Sequence, residues 1–241
     1  MSAIIIKNLT KKYGTLTAVD KLSLTIDKGE LFALLGMNGA GKTTTIKMLT
    51  CLIQPTDGDA VLLGDSIKEN SNAVKQKINV SPQETAVAPN LTVLENLELI
   101  AGIYGQNVKT SKQSANELSS RFGLDDLLGK KAKTLSGGMQ RRLSIAMALI
   151  SNPQILFLDE PTLGLDVLAR RELWASIRQL KSRVTIVLTS HYLEEVVALS
   201  DRIGIMAKGK LIAVGTVEEL TGQTETANLE DAFVALSGGV I

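Results

Sequence analysis

The segment Gly36–Thr44 has the residue types and spacing of a phosphate-binding loop, because it fits the pattern G-x-x-x-x-G-K-[ST]. It follows the apolar run Leu31–Leu35, which predicts a buried strand, and residues 44–49 predict a helix. Backbone N–H groups and the positive helix start surround an anion in such a loop. A glycine-rich turn with a chance lysine is the alternative, and both the fixed spacing and the flanks argue against it. The predicted phosphate contacts are Gly36, Asn38, Gly39, Ala40, Gly41, Lys42, Thr43 and Thr44.

Lys42 is expected to reach the β- and γ-phosphates, and the Thr43 hydroxyl to bind Mg²⁺. Three further predicted strands end in side chains suited to phosphate chemistry. Asp159 and Glu160 end one strand, and fit a metal-binding carboxylate followed by a base that orients water. Gln83 and His191 follow the other two strands. Ligands lie outside the carboxyl ends of strands in open α/β sheets, so these side chains are predicted to converge on one γ-phosphate.

Each of these candidate site residues also has an ordinary structural interpretation. Asp159 and Glu160 could form a solvated acidic turn, although Pro161 ends that segment abruptly beside the strand. His191 is the only histidine, and a lone histidine is usually a satisfied surface or core residue. Tyr13 stands at a turn, where it could stack on a base or simply pack over the turn.

A second predicted helix start carries bare N–H groups. Ser136 is a suitable N-cap, and Gly137 and Gly138 leave the first turn of the following helix uncovered. Such a start can bind an anion. Taken alone, a Ser-Gly-Gly cap is usually only structural.

The remaining pattern predicts an α/β fold with an inserted helical segment. Residues 3–30 alternate as strands, whereas residues 84–150 are mostly helical and begin with a capping box at Thr92–Glu95. Residues 77–81 predict a further short strand, and 167–181 predict a helix with Leu168, Leu173, Ile177 and Leu180 inward. Residues 201–215 predict two short strands, and 228–236 predict a terminal helix. The predicted division is a core of 1–83 and 151–224, a helical subdomain of 84–150, and a tail of 225–241.

Composition limits the class of protein. The 241 residues include 44% apolar residues and carry a formal net charge of +1, which argues against nucleic acid as the main partner. Cys51 is the only cysteine, so no internal disulfide is expected and a reducing compartment is favoured. No apolar run reaches the length of a membrane span, so we expect a soluble chain that docks on a membrane protein.

Together these residues resemble the nucleotide-binding subunit of an ATP-binding cassette (ABC) transporter. The most specific mark is Leu135–Gln140, which matches the family signature just upstream of Asp159 and Glu160. The resemblance covers nearly the whole chain. It implies a P-loop NTPase core with a mostly parallel sheet, an antiparallel β subdomain and an inserted α-helical subdomain.

The resemblance also implies roles for individual residues. Tyr13 would stack on adenine, Glu160 would be the general base, and His191 would be the switch histidine. Gln83 and His191 would hold the attacking water and sense the γ-phosphate, and Lys42 would spread the charge that develops during hydrolysis. The implied metal ligands are Thr43, Gln83 and Asp159. In this family two subunits face head to tail, so each ATP would lie between one phosphate loop and the opposite subunit. The implied contacts from that opposite subunit are Ser136, Gly137, Gly138, Gln140 and Asp166.

The implied function is ATP hydrolysis, with Mg²⁺, that closes a homodimer or pseudo-dimer and drives a separate integral membrane subunit. The tail 228–233 resembles bacterial exporters, and the implied location is the cytoplasm at the inner face of the cell membrane. Leu163 and Val167 depart from the family pattern beside the interface loop. Three rivals remain: an ABC ATPase acting on ribosomes or DNA, another P-loop enzyme such as a kinase, and an importer subunit.

The helical segment after Gln83 has more apolar side chains than one helix face can bury. We expect the remainder to form an exposed patch for a short cytoplasmic helix of the membrane subunit. The alternative is that all of them lie within a small helical core. The residues concerned are Val87, Leu91, Val93, Leu94, Leu97, Leu99, Ile100 and Ile103.

Overall fold

The computed structural model describes residues 1–238 and arranges ten strands there in two β-sheets. Residues 239–241 of the predicted tail lie outside the described residues. The strands are β1 (Ser2–Tyr13), β2 (Leu16–Asp27), β3 (Leu31–Leu35), β4 (Asp57–Leu62), β5 (Asp65–Ser66), β6 (Ile78–Ser81), β7 (Ile155–Asp159), β8 (Thr185–Ser190), β9 (Arg202–Ala207) and β10 (Lys210–Gly215).

The two sheets differ in direction. The first is antiparallel and has the order β2-β1-β4-β5. The second has the order β10-β9-β3-β8-β7-β6, in which only the β10–β9 pair is antiparallel. Strands β3, β7 and β8 are buried at every position, as expected for parallel strands covered on both faces. All of their carboxyl ends therefore meet at one edge.

Nine helices lie within the described residues, and short 3-10 turns occupy Asp125–Leu127 and Ala132–Thr134. The predicted capping box at Thr92 is present, and its side chain accepts from the Glu95 N–H. The helices are α1 (Lys42–Leu49), α2 (Ser71–Lys77), α3 (Val93–Ile103), α4 (Val108–Arg121), α5 (Gly137–Leu149), α6 (Val167–Arg178), α7 (Leu193–Leu199), α8 (Val217–Thr224) and α9 (Leu229–Leu236).

Two hydrophobic cores hold these layers together. One lies between the two sheets and includes Ile4, Phe32 and Phe157. The other covers the opposite face of the larger sheet, and joins β8 to the helices through residues such as Leu97 and Leu143. Burying one such side chain stabilises the fold by about 1.5–3 kcal/mol. The larger sheet is thus fixed from both sides, which gives its loops a rigid base.

Several predicted elements need correction. Helices α2 and α7 were not predicted, because each has only seven residues and too few buried positions to show a helical period. Lys77 ends α2 and does not begin β6. The helix predicted over 167–181 ends at Arg178. Leu168, predicted to point inward on that helix, is 73% exposed.

The P-loop and α/β fold class is confirmed by the sheets and helices and by the solved structures compared below. Residues 84–150 contain α3, α4 and α5. Strands of the larger sheet come from both sides of this stretch, since β3 and β6 precede it and β7 to β10 follow it. The predicted domain boundaries stay a prediction.

Candidate active site

The loop between β3 and α1 depends on glycine at two points. A Cβ atom at Gly36 would meet the Met206 carbonyl oxygen at 2.5 Å. At Gly41 the backbone has a φ of 103°, and a Cβ atom would meet the Ala18 carbonyl oxygen at 2.5 Å. Helix α1 begins directly afterwards, and Gly41 gives it no side-chain cap. Its first N–H groups are therefore free of a side-chain cap and suited to an anion.

Lys42 lies inside the curl of this loop and is 5% exposed. Its Nζ atom donates to the Gly36 carbonyl oxygen at 2.7 Å and lies 3.2 Å from Glu160 Oε1. The loop carbonyls therefore hold the ammonium group at the carboxyl edge of the sheet. A buried charge needs such partners, and a phosphate oxygen would be a further partner of the right charge.

Asp159, at the end of β7, accepts two hydroxyl groups on the same oxygen. Thr43 Oγ1 donates to Asp159 Oδ1 at 3.1 Å, and Thr189 Oγ1 donates to it at 2.6 Å. A carboxylate beside a hydroxyl supplies the oxygen ligands that Mg²⁺ prefers. The two side chains therefore fit a magnesium site at the start of α1.

Glu160 follows Asp159 in a left-handed backbone conformation, with a φ of 48°. Its N–H donates to both the carbonyl oxygen and the hydroxyl of Thr189, at 3.2 Å and 3.0 Å. The Glu160 Oε2 atom lies 2.7 Å from His191 Nδ1. These contacts turn the Glu160 carboxylate toward Lys42 and His191, although the local backbone alone would disfavour this geometry.

These groups surround a cavity of about 800 Å³ at the carboxyl edge of the larger sheet. Tyr13 lines the cavity and is 49% exposed, so its ring is accessible from the cavity. The predicted convergence of the phosphate loop, Gln83, Glu160 and His191 is thus seen in the structure. The predicted residues that line the cavity are Tyr13, Asn38, Gly39, Ala40, Gly41, Lys42, Thr43, Thr44, Gln83, Glu160 and His191.

The predicted signature residues lie elsewhere in the same chain. Ser136 caps α5 by accepting from the Met139 N–H at 3.3 Å, and Gly137 and Gly138 form the first turn. Asp166 caps α6 in the same way through the Ala169 N–H. These five residues are absent from the lining of the cavity described above: Ser136, Gly137, Gly138, Gln140 and Asp166. Their nucleotide contacts stay a prediction.

Gln140 is used inside its own chain. Its Nε2 atom donates to the carbonyl oxygens of Ala132 and Leu135, both at 3.2 Å. The amide therefore fixes the segment before Ser136 rather than pointing into the cavity. Its predicted contact with a nucleotide also stays a prediction.

Three site residues were missed by the sequence reasoning. Thr189 bridges the side chain of Asp159 and the backbone of Glu160. Its only signal was a polar residue near the tip of an apolar strand. Arg141, which is 4% exposed, donates to the carbonyl oxygens of Pro82 and Gln83. No local pattern distinguishes it from a solvated arginine.

Glu195 on α7 is the third missed residue and is fully buried. Its Oε1 atom accepts from Trp174 Nε1 at 3.2 Å. Burial raises the pKa of Glu195, and the hydroxyls of Ser190 and Thr162 and the indole of Trp174 offset part of this rise. Burial therefore makes the charged form of this carboxyl group less favourable than it would be in water.

Comparison with known proteins identifies the family. The family model described as "ABC transporter" matches residues 19–163, which is more than half of the chain. The chain belongs to the ABC transporter family. This match confirms the resemblance drawn from Leu135–Gln140 and from the phosphate loop.

One similar ABC transporter protein is the probable multidrug ABC transporter ATP-binding protein YbhF of Escherichia coli, which is 39% identical over 236 residues. The match covers 95% of this chain and 41% of YbhF, so this chain spans less than half of that relative. A solved ATP-binding subunit of an ABC transporter matches with a TM-score of 0.87 at 28% identity, covering 98% of this chain and 99% of that one.

A second solved structure is a dimer of the ATP-binding cassette MJ0796 in a post-hydrolysis state, bound to ADP and Pi. It matches with a TM-score of 0.79 at 27% identity and covers 88% of this chain and 98% of that one. Separately, none of the helices among residues 1–238 is long and apolar enough to cross a membrane.

Proposed function

We propose that this chain is the ATP-binding and ATP-hydrolysing subunit of an ABC transporter, and that it drives transport, in the direction of export, through a separate integral membrane subunit. The observation that carries the proposal is one cavity in which Lys42, Glu160 and His191 meet beside Asp159. YbhF and the two solved structures support it, since all are ATP-binding transporter proteins or cassettes.

The phosphates of ATP would lie in the loop, where the amides at the start of α1 and the Lys42 ammonium face the cavity. Tyr13 would stack on adenine in the cavity. Thr43, Asp159 and Gln83 would hold Mg²⁺. When bound, the cation would neutralise charge on the phosphate oxygens.

Glu160 would accept the proton of the water that attacks the γ-phosphate in line. His191 orients the Glu160 carboxylate through its contact to Oε2, and Lys42 sits beside Oε1. Lys42 and His191 then remain near the transferred phosphoryl group, where they stabilise the negative charge that develops there. The chain thus supplies positioning, electrostatic stabilisation and one general base.

We also propose that the working unit is a homodimer or a pseudo-dimer with a second cassette. Glycines leave backbone amides uncovered by side chains at the helix starts beside Lys42 and at Gly137, but the sequence has one phosphate loop. Ser136, Gly138 and Asp166 would therefore face the nucleotide of the opposite cassette. The MJ0796 dimer supports this arrangement.

The proposed partner surface follows Gln83. Val93 and Leu97 are buried in the helical core, whereas Leu99 and Ile103 are 47% and 70% exposed. Ile103 lines a groove of about 250 Å³ that also includes Pro82, Ile100 and Met147. We propose that this groove receives a short helix of the membrane subunit on the cytoplasmic side, and so places the chain at the inner face of the membrane.

Two substitutions test the partner surface. Ile103→Glu puts a charge in the groove, and Val108→Glu puts one at an equally exposed position on α4 outside it. We expect the first to abolish co-purification with the membrane subunit and the second to leave it unchanged. Normal co-purification of the Ile103→Glu variant would exclude this surface.

The proposed division of the chain follows from these roles. Residues 1–83 and 151–224 would form the catalytic core, 84–150 the signature subdomain and 225–241 the tail.

The proposed activity is tested by phosphate release from ATP with Mg²⁺. We expect release from the wild-type chain and its loss in Lys42→Ala, because the ammonium contact to phosphate is removed. Lys47→Ala is the matched control, since Lys47 is an exposed lysine on the same helix. Equal release by Lys42→Ala and wild type would contradict the proposal.

A further inference from the structure

Arg141 is a charged side chain that the mechanism above does not use. It lies on the first turns of α5 and is 4% exposed. A buried charge is costly unless it is paired and hydrogen-bonded. Arg141 meets this requirement through backbone oxygens, because Nη1 donates to the Pro82 carbonyl at 2.6 Å and Nη2 donates to the Gln83 carbonyl.

These two carbonyls belong to the segment that leaves β6 and lines the cavity at Gln83. The same helix begins at the Ser136–Gly138 segment. The Arg141 guanidinium therefore joins the backbone at Pro82 and Gln83, beside the cavity, to helix α5. The first residues of α5 do not line that cavity. A planar guanidinium holds two acceptors in a fixed geometry, which an ammonium group cannot do.

Burial lowers the pKa of Arg141, and the nearby carboxyl groups of Asp159 and Glu195 offset part of this fall. A second buried contact joins strand β6 itself to helix α5, because Ser81 Oγ and Ser144 Oγ lie 3.0 Å apart. Strand β6 and helix α5 thus stay attached through the serines, while Arg141 holds the backbone of the segment beyond the strand through two hydrogen bonds.

We infer that Arg141 is a positioning residue that makes the signature segment follow Gln83 when Gln83 responds to the γ-phosphate. The inference rests on the proposed ATPase function and adds a residue to it. Arg141 does not line the cavity, so its loss should leave ATP affinity unchanged. What it should change is the response of α5 to ATP.

Hydrogen–deuterium exchange measures this response directly. In a Glu160→Gln background, which retains ATP, we expect ATP with Mg²⁺ to slow exchange in residues 82–91 and in residues 136–146. Adding Arg141→Met should leave the change in 82–91 and abolish the change in 136–146. In the otherwise native chain, Arg141→Met should lower kcat by about 2- to 30-fold at unchanged KM, the range for substitutions at coupling positions.

Arg178→Met is the matched control, because Arg178 also donates from its guanidinium to a helix carbonyl, that of Ala198, but lies on the surface. With Arg178→Met, ATP should slow exchange in both segments as it does in the Glu160→Gln background. Arg141→Lys keeps the charge but not the two parallel N–H donors, so ATP should slow exchange in residues 136–146 only partially. If Arg141→Met does not fold, Arg141→Lys carries the test, and a full response of 136–146 in it would then overturn the inference.

The outcomes separate the two proposals. If both segments respond to ATP in Arg141→Met as in the background, the role of Arg141 is wrong and the ATPase proposal stands. If the background binds no ATP, the proposed function fails and the inference fails with it. A loss confined to 136–146 supports both.

Discussion

Replacing Glu160 by glutamine removes the proposed base while it keeps the shape of the side chain. In the wild-type chain one carboxylate oxygen lies 3.2 Å from Lys42 Nζ and the other 2.7 Å from His191 Nδ1, and the residue is 5% exposed. A glutamine oxygen can still accept from one of these groups. It cannot take a proton from water, so the variant should bind ATP and hydrolyse it very slowly.

The size of the effect follows from the role. General-base catalysis contributes about 10²- to 10⁴-fold to rate. At about 1.36 kcal/mol for each tenfold change, the loss corresponds to a rise of roughly 3–5 kcal/mol in the activation free energy. The variant also removes one negative charge next to the site of the γ-phosphate. ATP affinity should therefore be equal to that of the wild type or higher.

Phosphate release at saturating ATP gives the rate, and gel filtration with ATP and Mg²⁺ gives the oligomeric state. We expect a lowered rate together with a stable dimer. Glu194→Gln is the control, because Glu194 lies three residues after His191 but is highly exposed and contacts Arg170 at 3.6 Å. A Glu160→Gln rate equal to that of wild type, or a variant that stays monomeric where the wild type dimerises, would refute the assigned role.

Three further predictions concern stability. Gly41→Ala should lower the free energy of unfolding, measured by urea, by about 1–3 kcal/mol and should weaken ATP binding, because φ at Gly41 is 103°. Gly102→Ala, where a Cβ atom meets open space on α3, should do neither. Leu97→Ala should cost about 2–5 kcal/mol and Ile103→Ala about 0.5 or less in the same assay, since Leu97 is fully buried and Ile103 is 70% exposed. Because burial raises the pKa of Glu195, the folded chain holds its proton more tightly than the unfolded chain. The stability from that proton is present below the ordinary carboxyl pKa and is lost as pH rises through the folded pKa. Glu195→Gln should thus gain relative to wild type as pH rises, and a constant difference across pH would contradict this.

The phosphate loop and its partners could be predicted because their signals are local. The spacing from Gly36 to Thr43 is a motif of eight consecutive residues, and the capping box at Thr92 involves four consecutive residues. Asp159 and Glu160 were predictable for a second reason. The strand before them is apolar at every position, so two carboxylates at its tip are conspicuous.

Contacts between distant segments were not predictable. Thr189 contacts Asp159 across the pairing of β7 with β8, and Arg141 reaches Gln83 across 58 positions of sequence. Arg141 has no local pattern that differs from a surface arginine, and the only signal at Thr189 is a polar residue near the tip of an apolar strand. The prediction that Leu168 points inward was wrong because the helical period of α6 does not show which face of the helix meets the core.

The central claim is that each ATP site is shared by two copies of this chain, and mixed dimers test it most directly. Lys42→Ala disables the loop of its own chain, whereas Gly137→Asp places a negative charge at the start of α5. Gly137 suits this test better than Gly138, because a Cβ at Gly137 meets nothing within 4 Å, but one at Gly138 lies 3.0 Å from Ala169 Cβ.

Each variant alone gives two faulty sites in a symmetric dimer. A mixed dimer has one site with both faults and one intact site. The measurement is phosphate release by the mixture, with mixed dimers isolated through two different affinity tags. We predict activity well above that of either variant alone. Isolated mixed dimers with no more activity than the parent variants would contradict the shared site.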